Sequence, residues 1–510
     1  MRYIPILSPQ SLRSLNSNLL SIRLENAPPL RRCLRSQVAL LQLPPWQRLG
    51  IAALVLAGAP DVPAQVCPNP ASVNNVQCTV APATSINVTT ANAAGLGDTG
   101  AAAQITAQGI TVNLNAAGTT GALAQGGASI LFDGSTLNAT AGTLNSPAGR
   151  TGLRAAGSGS SISAGGTTIS MGLASAVGTN LTGVLADAGG IVSLSGAVTM
   201  NSNGNGTGIV GIRAVGAGSR VTMTGGSITA TSRGALGAFA DTGGTIELGA
   251  GVVVSTSGLA TSGGDPKGGH ALLSSGAAAT LNGTGVAATT SGTLANAARA
   301  EQRGSMQLSN ATLRTTGAGS ATAFAAGAAA VSGGQLSLNG GTVTAEGQYG
   351  YGLVVQGAGS NAEATDAEVS AIGNRSIAVN VTGGGNASLT RGNVTSSSGG
   401  AQGGSAVIID GAGSTGSLTG VQVVAAPTTP SVAYGVRAVN GAAVSMIGGS
   451  ITTRTRDGTA LSAGNSSITA SDVTIATTGT DNSMGALADG NSRIELIRGS
   501  VSTGGDEVRQ

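Results

Sequence analysis

The residues able to do chemistry are few and scattered. Glu363, Asp366 and Glu368 are the densest group of acids. Clustered carboxylates can act as acid and base on a glycan, or hold calcium. Alternation along a strand would put Asp366 and Glu368 on one face. No second acid cluster exists to meet them, and no basic partner lies nearby in sequence, so a solvated face is the expectation. Asp410 to Gly416 (DGAGSTG) contains the GxGxxG spacing of a dinucleotide loop. That chemistry needs a helix next and an acid about 20 residues on. SLTGVQVV, a strand pattern, follows instead, and GAGS recurs at Gly216, Gly317 and Gly357, so a repeat turn is expected and no cofactor. The single histidine, His270, ends the turn GGDPKGGH with Asp265 and Lys267, and is expected to be exposed. Arg454 and Arg456, in ITTRTRDG, sit at a strand end and face the same way. Asp265, Lys267, His270, Arg454 and Arg456 are therefore the candidate partner contacts. Tyr351 and Tyr434 occupy equivalent repeat positions and read as stacked structural residues, although tyrosines can also stack on sugars. Asn87, Asn138 and Asn205 head Asn-x-Ser/Thr triplets that reflect composition. Two late cysteines and one distant histidine cannot fill a four-ligand zinc site. No catalytic set, metal site or cofactor site emerges, so the chain is not expected to be an enzyme.

The elements that must carry these residues follow from composition. Of 510 residues 85 are glycine; aromatics are 2 % and charged residues 9 %, against about 25 % charged for an average soluble protein. A round core of bulky side chains is excluded. Disorder is a poor fit too, because the chain is nearly uncharged and full of Val, Ile and Thr. Many short strands joined by Gly-rich turns fit best. The net charge of +3 comes from residues 1–64, which hold seven arginines and two acids; beyond them 17 basic and 19 acidic residues remain. That later part has no Trp, three Phe and three Tyr. Without a basic stripe or stacking aromatics, no nucleic-acid partner is expected.

Residues 1–64 read as an extended basic leader and signal peptide. Arg48 precedes the apolar run LGIAALVLAGA, too short to span a bilayer as a helix. Pro60 ends it, and Val62-Pro63-Ala64 places small residues for cleavage after Ala64. Cys33 is lost with the leader; Cys67 and Cys78 remain. In an oxidising compartment they are expected to form a disulfide, contributing on the order of 3 kcal/mol.

Repeats decide the fold class. GIRAVGAGSRVTMTGGSITAT, from Gly211, matches GVRAVNGAAVSMIGGSITT, from Gly435. Each unit reads as a Gly or Ala, a short apolar strand, a Gly-rich turn, an alternating strand, a second turn, and a strand of the type Ser/Thr-apolar-Thr. The apolar residue of that last strand recurs at Leu137, Ile169, Val198, Ile228, Val253, Val286, Leu313, Val343, Val369, Val394, Val423, Ile451, Val473 and Val501. Three strands per unit make one turn of a three-sided coil. Stacked coils pair their strands in parallel at about 4.8 Å and bury a narrow core of small side chains. The fold class is all-β: a single-stranded parallel β-helix, or β-solenoid, over residues 121–510. Residues 65–120, with the Cys pair, match the repeat poorly and are expected to cap it. Ala298-Arg299-Ala300, inside the helix-like ANAARA, holds the place of Ile212-Arg213-Ala214 and reads as strand.

The signal peptide, the Cys67–Cys78 pair, and repeats such as YGLVVQGAGS and MGALADGNSRIELIRGSVSTGG resemble the passengers of pertactin-like autotransporters, over about residues 65–510. The resemblance implies a right-handed, pectin-lyase-like β-helix exported by a Gram-negative bacterium, often as an adhesin or virulence factor. It implies residence at the cell surface or outside the cell, and a host-cell or surface ligand. Such proteins end in an outer-membrane translocator barrel. Residues 480–510 are still passenger-type repeat, so the barrel is missing from this chain, and unaided the product would stop in the periplasm. Two other readings stand beside it: a glycan-active β-helix enzyme, and a structural surface protein that self-associates. Longer steps mark protruding loops. Deleting Gly263–Gly269 from the longest is expected to leave folding intact and to test that loop as the contact.

Overall fold

Short runs of alternating Val, Ile, Thr and Ser form strands, and Gly-rich breaks turn them. The computed structural model describes residues 65–504, apart from 69–70, 140–148, 174–179, 203–207, 259–267, 321–322, 400–403, 429–431 and 480–481. The expected leader and its cleavage point lie outside the described residues. The unit Gln65–Gln510 is treated by itself.

Every α-helical or strand element among the described residues is a strand. A sixteen-stranded sheet forms the first side of a coil, from Ala71–Asn74 to Met484–Asp489, and a thirty-stranded sheet folds round a corner to form the other two. One coil shows the plan. Gly350–Gln356, Asn361–Thr365 and Glu368–Ala371 each lie parallel to the strand one coil before and one coil after. Ser161–Leu173, Ile191–Ser202 and Arg220–Ala230 run unbroken through the corner between the second and third sides. The fold is thus a parallel β-solenoid.

Inward positions form ladders of small aliphatic residues. On the third side one ladder runs Leu137, Ile169, Val198, Ile228, Val254, Ala288, Leu313, Val343. It continues Val369, Val394, Val423, Ile451, Ile475, Val501. Three expected positions are corrected. Val254 replaces Val253, because VVVST is apolar at both parities and alternation there has no inside; Val253 is 46 % exposed. Ala288 and Ile475 replace Val286 and Val473, which are buried just ahead of their strands. The segment expected as a cap is itself wound. Ile86 and Val112 extend the same ladder below Leu137, and Gln65–Val66 lies beside the strand Gln77–Val80. A disulfide joins Cys67 to Cys78. Ala298–Glu301 is a strand between Leu272–Ser275 and Ala325–Val331, in the register that equates Arg299 with Arg213.

Two turns of the coil are short and one is not. The second-to-third corner repeats a left-handed residue at Asn310, Gly340, Asp366, Arg391, Gly420, Gly448, Asp472 and Arg498, and the first seven donate their amides to the next coil. The third-to-first turn varies from the four residues between Ala345 and Gly350 to the fifteen between Thr256 and Leu272. Insertions there leave the three-sided ladder undisturbed.

Candidate functional site

The expected contacts separate. Asp265 and Lys267 lie outside the described residues. His270 is buried, not exposed as expected: it is 1 % accessible, and its Nδ1 accepts the amide of Asn296 at 2.9 Å. The side chain roots the long turn and is no surface contact. Beside it the carbonyl of Gly269 accepts the hydroxyls of Thr256 and Thr290 at 2.8 and 3.0 Å. Deleting Gly263–Gly269 would therefore remove an anchor, and the excision has to stop before Gly268. Arg454 and Arg456 are both exposed, with Thr455 buried between them.

The acids do not gather. Glu363 is on the second side, Asp366 at the corner and Glu368 on the third, so Asp366 and Glu368 share no strand face. Asp366 faces Arg391 one coil on, at 2.9 Å, a partner that sequence distance had hidden. The guanidinium holds the Asp366 carboxyl below its usual range, and Arg498 does the same for Asp472. Among the described residues no three His, Cys, Asp or Glu side chains are placed to hold a metal.

The GxGxxG segment is structural. Ser414 donates its hydroxyl to the Asp410 carbonyl and accepts the amide of Gly384, a coil earlier, at 3.0 Å. Ser160, Ser219 and Ser360 make the same staple. The GAGS copy at Gly317 lies at a different corner, before Ala325–Val331.

One face differs from the other two. The second and third sides present mainly Ser, Thr, Asn and Gln outward, in places hydrogen-bonded into ladders such as Asn138 to Asn113 to Asn87, with ion pairs such as Arg220–Glu247 and exposed aliphatics such as Ile191 and Ile447 among them. The first side presents apolar, aromatic and arginine side chains. Its central outward ladder runs Arg154, Leu185, Arg213, Phe239, Leu273, Arg299, then Ala329, Val354, Asn380, Ile408 and Arg437. Of these Phe239, Leu273, Ala329 and Val354 are buried in two small apolar clusters outside the column, so the accessible part of the row is its arginines, Leu185, Asn380 and Ile408. Arg154 meets Asp187 at 2.7 Å, Arg213 pairs with Asp241, and Arg299 meets Glu301 at 2.7 Å. Arg213 also lies 5.3 Å from the Phe239 ring centre, Arg299 6.0 Å from Phe324 and Arg437 4.5 Å from Tyr434, within cation–π range. Tyr351 packs edge-on against Phe324 at 6.2 Å. Tyr351 and Tyr434 hold equivalent positions, but the strands Ile377–Thr382 and Val407–Asp410 lie between their coils, so they do not stack on each other. Burial, and secondarily the neighbouring Tyr349, raise the Tyr351 phenol above its ordinary value, so it stays a neutral donor. The variable turns lead into the strands of this same side.

The signal for this face was present in strands such as LGAFAD and AAGAAAV, which are apolar at both parities. Such runs mark strands covered or apolar on both faces. Only register shows that the extra residues line up outside.

No protein-family description matches the chain, and no curated protein matches it in sequence. Among solved structures it is similar to a chain of the cryo-EM structure of the Vag8–C1 inhibitor complex, at 16 % identity and a TM-score of 0.45, over 86 % of this chain and 99 % of that one. At that identity and score the likeness adds nothing to the fold, which stands on its own hydrogen-bond ladders.

Proposed function

We propose that this chain is the passenger part of an autotransporter-type exported protein, which binds a host-cell or surface ligand without catalysis. The first side of the solenoid is the contact face. One observation carries the reading: aromatic rings beside arginines, and the variable-length turns, meet on one of the three sides, while the strands of the other two present mainly Ser, Thr and Asn with scattered charges and aliphatics. Aromatic and arginine side chains are the groups enriched at binding hot spots. The non-catalytic part is supported by the acids Asp187, Asp241, Glu247, Glu301, Glu346, Asp366 and Asp472, each of which faces an arginine. The signal-peptide pattern and the Cys67–Cys78 disulfide support export and a surface or extracellular location.

The test is binding of the labelled full chain to cultured epithelial cells. The triple variant Ile408→Ser, Tyr434→Ala, Arg437→Ala should lose at least tenfold in binding. The control Thr395→Ala, Ser417→Ala, Thr452→Ala, on the other two sides, should bind as the parent does. Equal binding by both variants would remove the first side from the contact. No binding by the parent would remove the host partner.

A further inference from the structure

We infer that the hollow between Phe324 and Tyr351 on the first side is a subsite for one ring of a neutral saccharide. The inference rests on the contact-face reading and names a ligand class for one place on that face. The hollow measures about 140 Å³ and is lined chiefly by Phe324, Tyr351, Val354, Gln356, Asn380 and Thr382. Pockets for drug-sized ligands run to about 300–1,000 Å³, so this one suits a single ring-sized group.

Its chemistry is that of a polyol with an apolar face. The Phe324 and Tyr351 rings, set at 84° to each other, supply carbon surface, and the buried Val354 packs behind them. Gln356, Asn380 and Thr382 supply two amides and a hydroxyl, which both donate and accept. Val354 pairs in register with Asn380, and Gln356 with Thr382, so the polar groups sit on adjacent coils about 4.8 Å apart. Among the described residues none of these three side chains has a protein hydrogen-bond partner. Some outward amides elsewhere are committed, as where Asn386 bonds Asn361 at 2.7 Å. Arg299, 6.0 Å from the Phe324 ring centre, is neutralised by Glu301 at 2.7 Å, and the two are only 14 % and 2 % exposed. A neutral ligand fits that balance better than an acidic one.

The experiment measures binding of the full chain to immobilised galactomannan, xyloglucan and mixed-linkage β-glucan, with polygalacturonate alongside. At least one neutral polymer should retain the protein. Retention should fall at least tenfold in Tyr351→Ala and in Asn380→Ala, and persist in Thr452→Ala, on the third side. Asn380→Ala truncates a half-exposed side chain, so an unchanged circular dichroism spectrum separates lost binding from lost folding. Retention by no neutral polymer, by polygalacturonate alone, or equally by the parent and Asn380→Ala overturns the inference. Loss of cell binding in the Ile408/Tyr434/Arg437 variant, with no polysaccharide bound, removes the saccharide subsite and leaves the contact face standing.

Discussion

At the scale of single residues, one side chain works against the core. Asp98 points inward, in a ladder between Val73 and Ala124, and is 0 % exposed. Neither carboxyl oxygen has a side-chain or backbone donor in good geometry. Burial raises its pKa from 3.8 to about 6; the nearby amides of Ile105 and Thr99 pull the other way and do not offset it. The ionised form is thus the disfavoured one inside the column. Its penalty is complete above pH 6 and fades as pH falls through the folded value toward 3.8. Lowering pH from 8 to 5 should therefore stabilise this end of the column by about 1 kcal/mol. Thermal unfolding followed by circular dichroism should show a higher midpoint at pH 5 than at pH 8, with the difference reduced in Asp98→Asn. A parent midpoint that falls on acidification would contradict the burial account. Asp366 and Asp472, about half exposed beside their arginines at 51 % and 47 %, are not expected to shift the midpoint measurably when replaced by Asn.

At the scale of elements, the packing of the first side on the third depends on a column of glycines. Gly152, Gly183, Gly211 and Gly237 occupy one position on successive coils of the first side. A Cβ built on Gly183 would lie 2.5 Å from the carbonyl oxygen of Gly211 and 2.7 Å from a methyl of Val198; on Gly211 it would meet the Gly237 carbonyl at 2.6 Å. The clash is with backbone, which cannot swing away. Glycine here serves close approach rather than a special φ, since these strands are extended. Gly183→Ala should cost about 1–3 kcal/mol, in the range of overpacked cores. Urea denaturation would measure it, and an unchanged midpoint would mean the coils can slide apart more easily than the register implies. The same alanine at Gly216, a left-handed turn glycine, would act through backbone strain instead.

At the scale of the whole molecule, each coil touches mainly its two neighbours, so stability is distributed along the column rather than pooled in one core. The Cys67–Cys78 disulfide ties the first strand to the second side at one end. Replacing both cysteines by serine should speed amide exchange over residues 65–107, and leave protection beyond residue 150 unchanged. Exchange accelerating evenly along the chain would show one cooperative unit instead. At the other end the inward-facing Leu496 and Val501 are 43 % and 49 % exposed, on the last described strands of the ladder.

The sequence by itself determined the fold class, because a solenoid is a local code repeated. Small apolar residues at alternate positions, with glycine at the bends, specify each strand and turn within one coil. Ala298-Arg299-Ala300 read correctly as strand for that reason: its register with Gly211–Ala214 outweighs its helix-like composition. Where neighbouring residues were all apolar, as in VVVST, the code lost its parity, and Val253 was taken for Val254. What only the tertiary structure decided is whatever passes between coils. The Asp366–Arg391 pair, the serine staples of the GAGS turns, the buried His270 and the outward row from Arg154 to Arg437 join residues about one coil apart. Their partners lie roughly 25 to 35 positions away in sequence, a distance that turns of variable length keep shifting. The outward row of the first side was therefore hidden by register, not by residue type: every member stood in plain view, and only stacking brought them to one side.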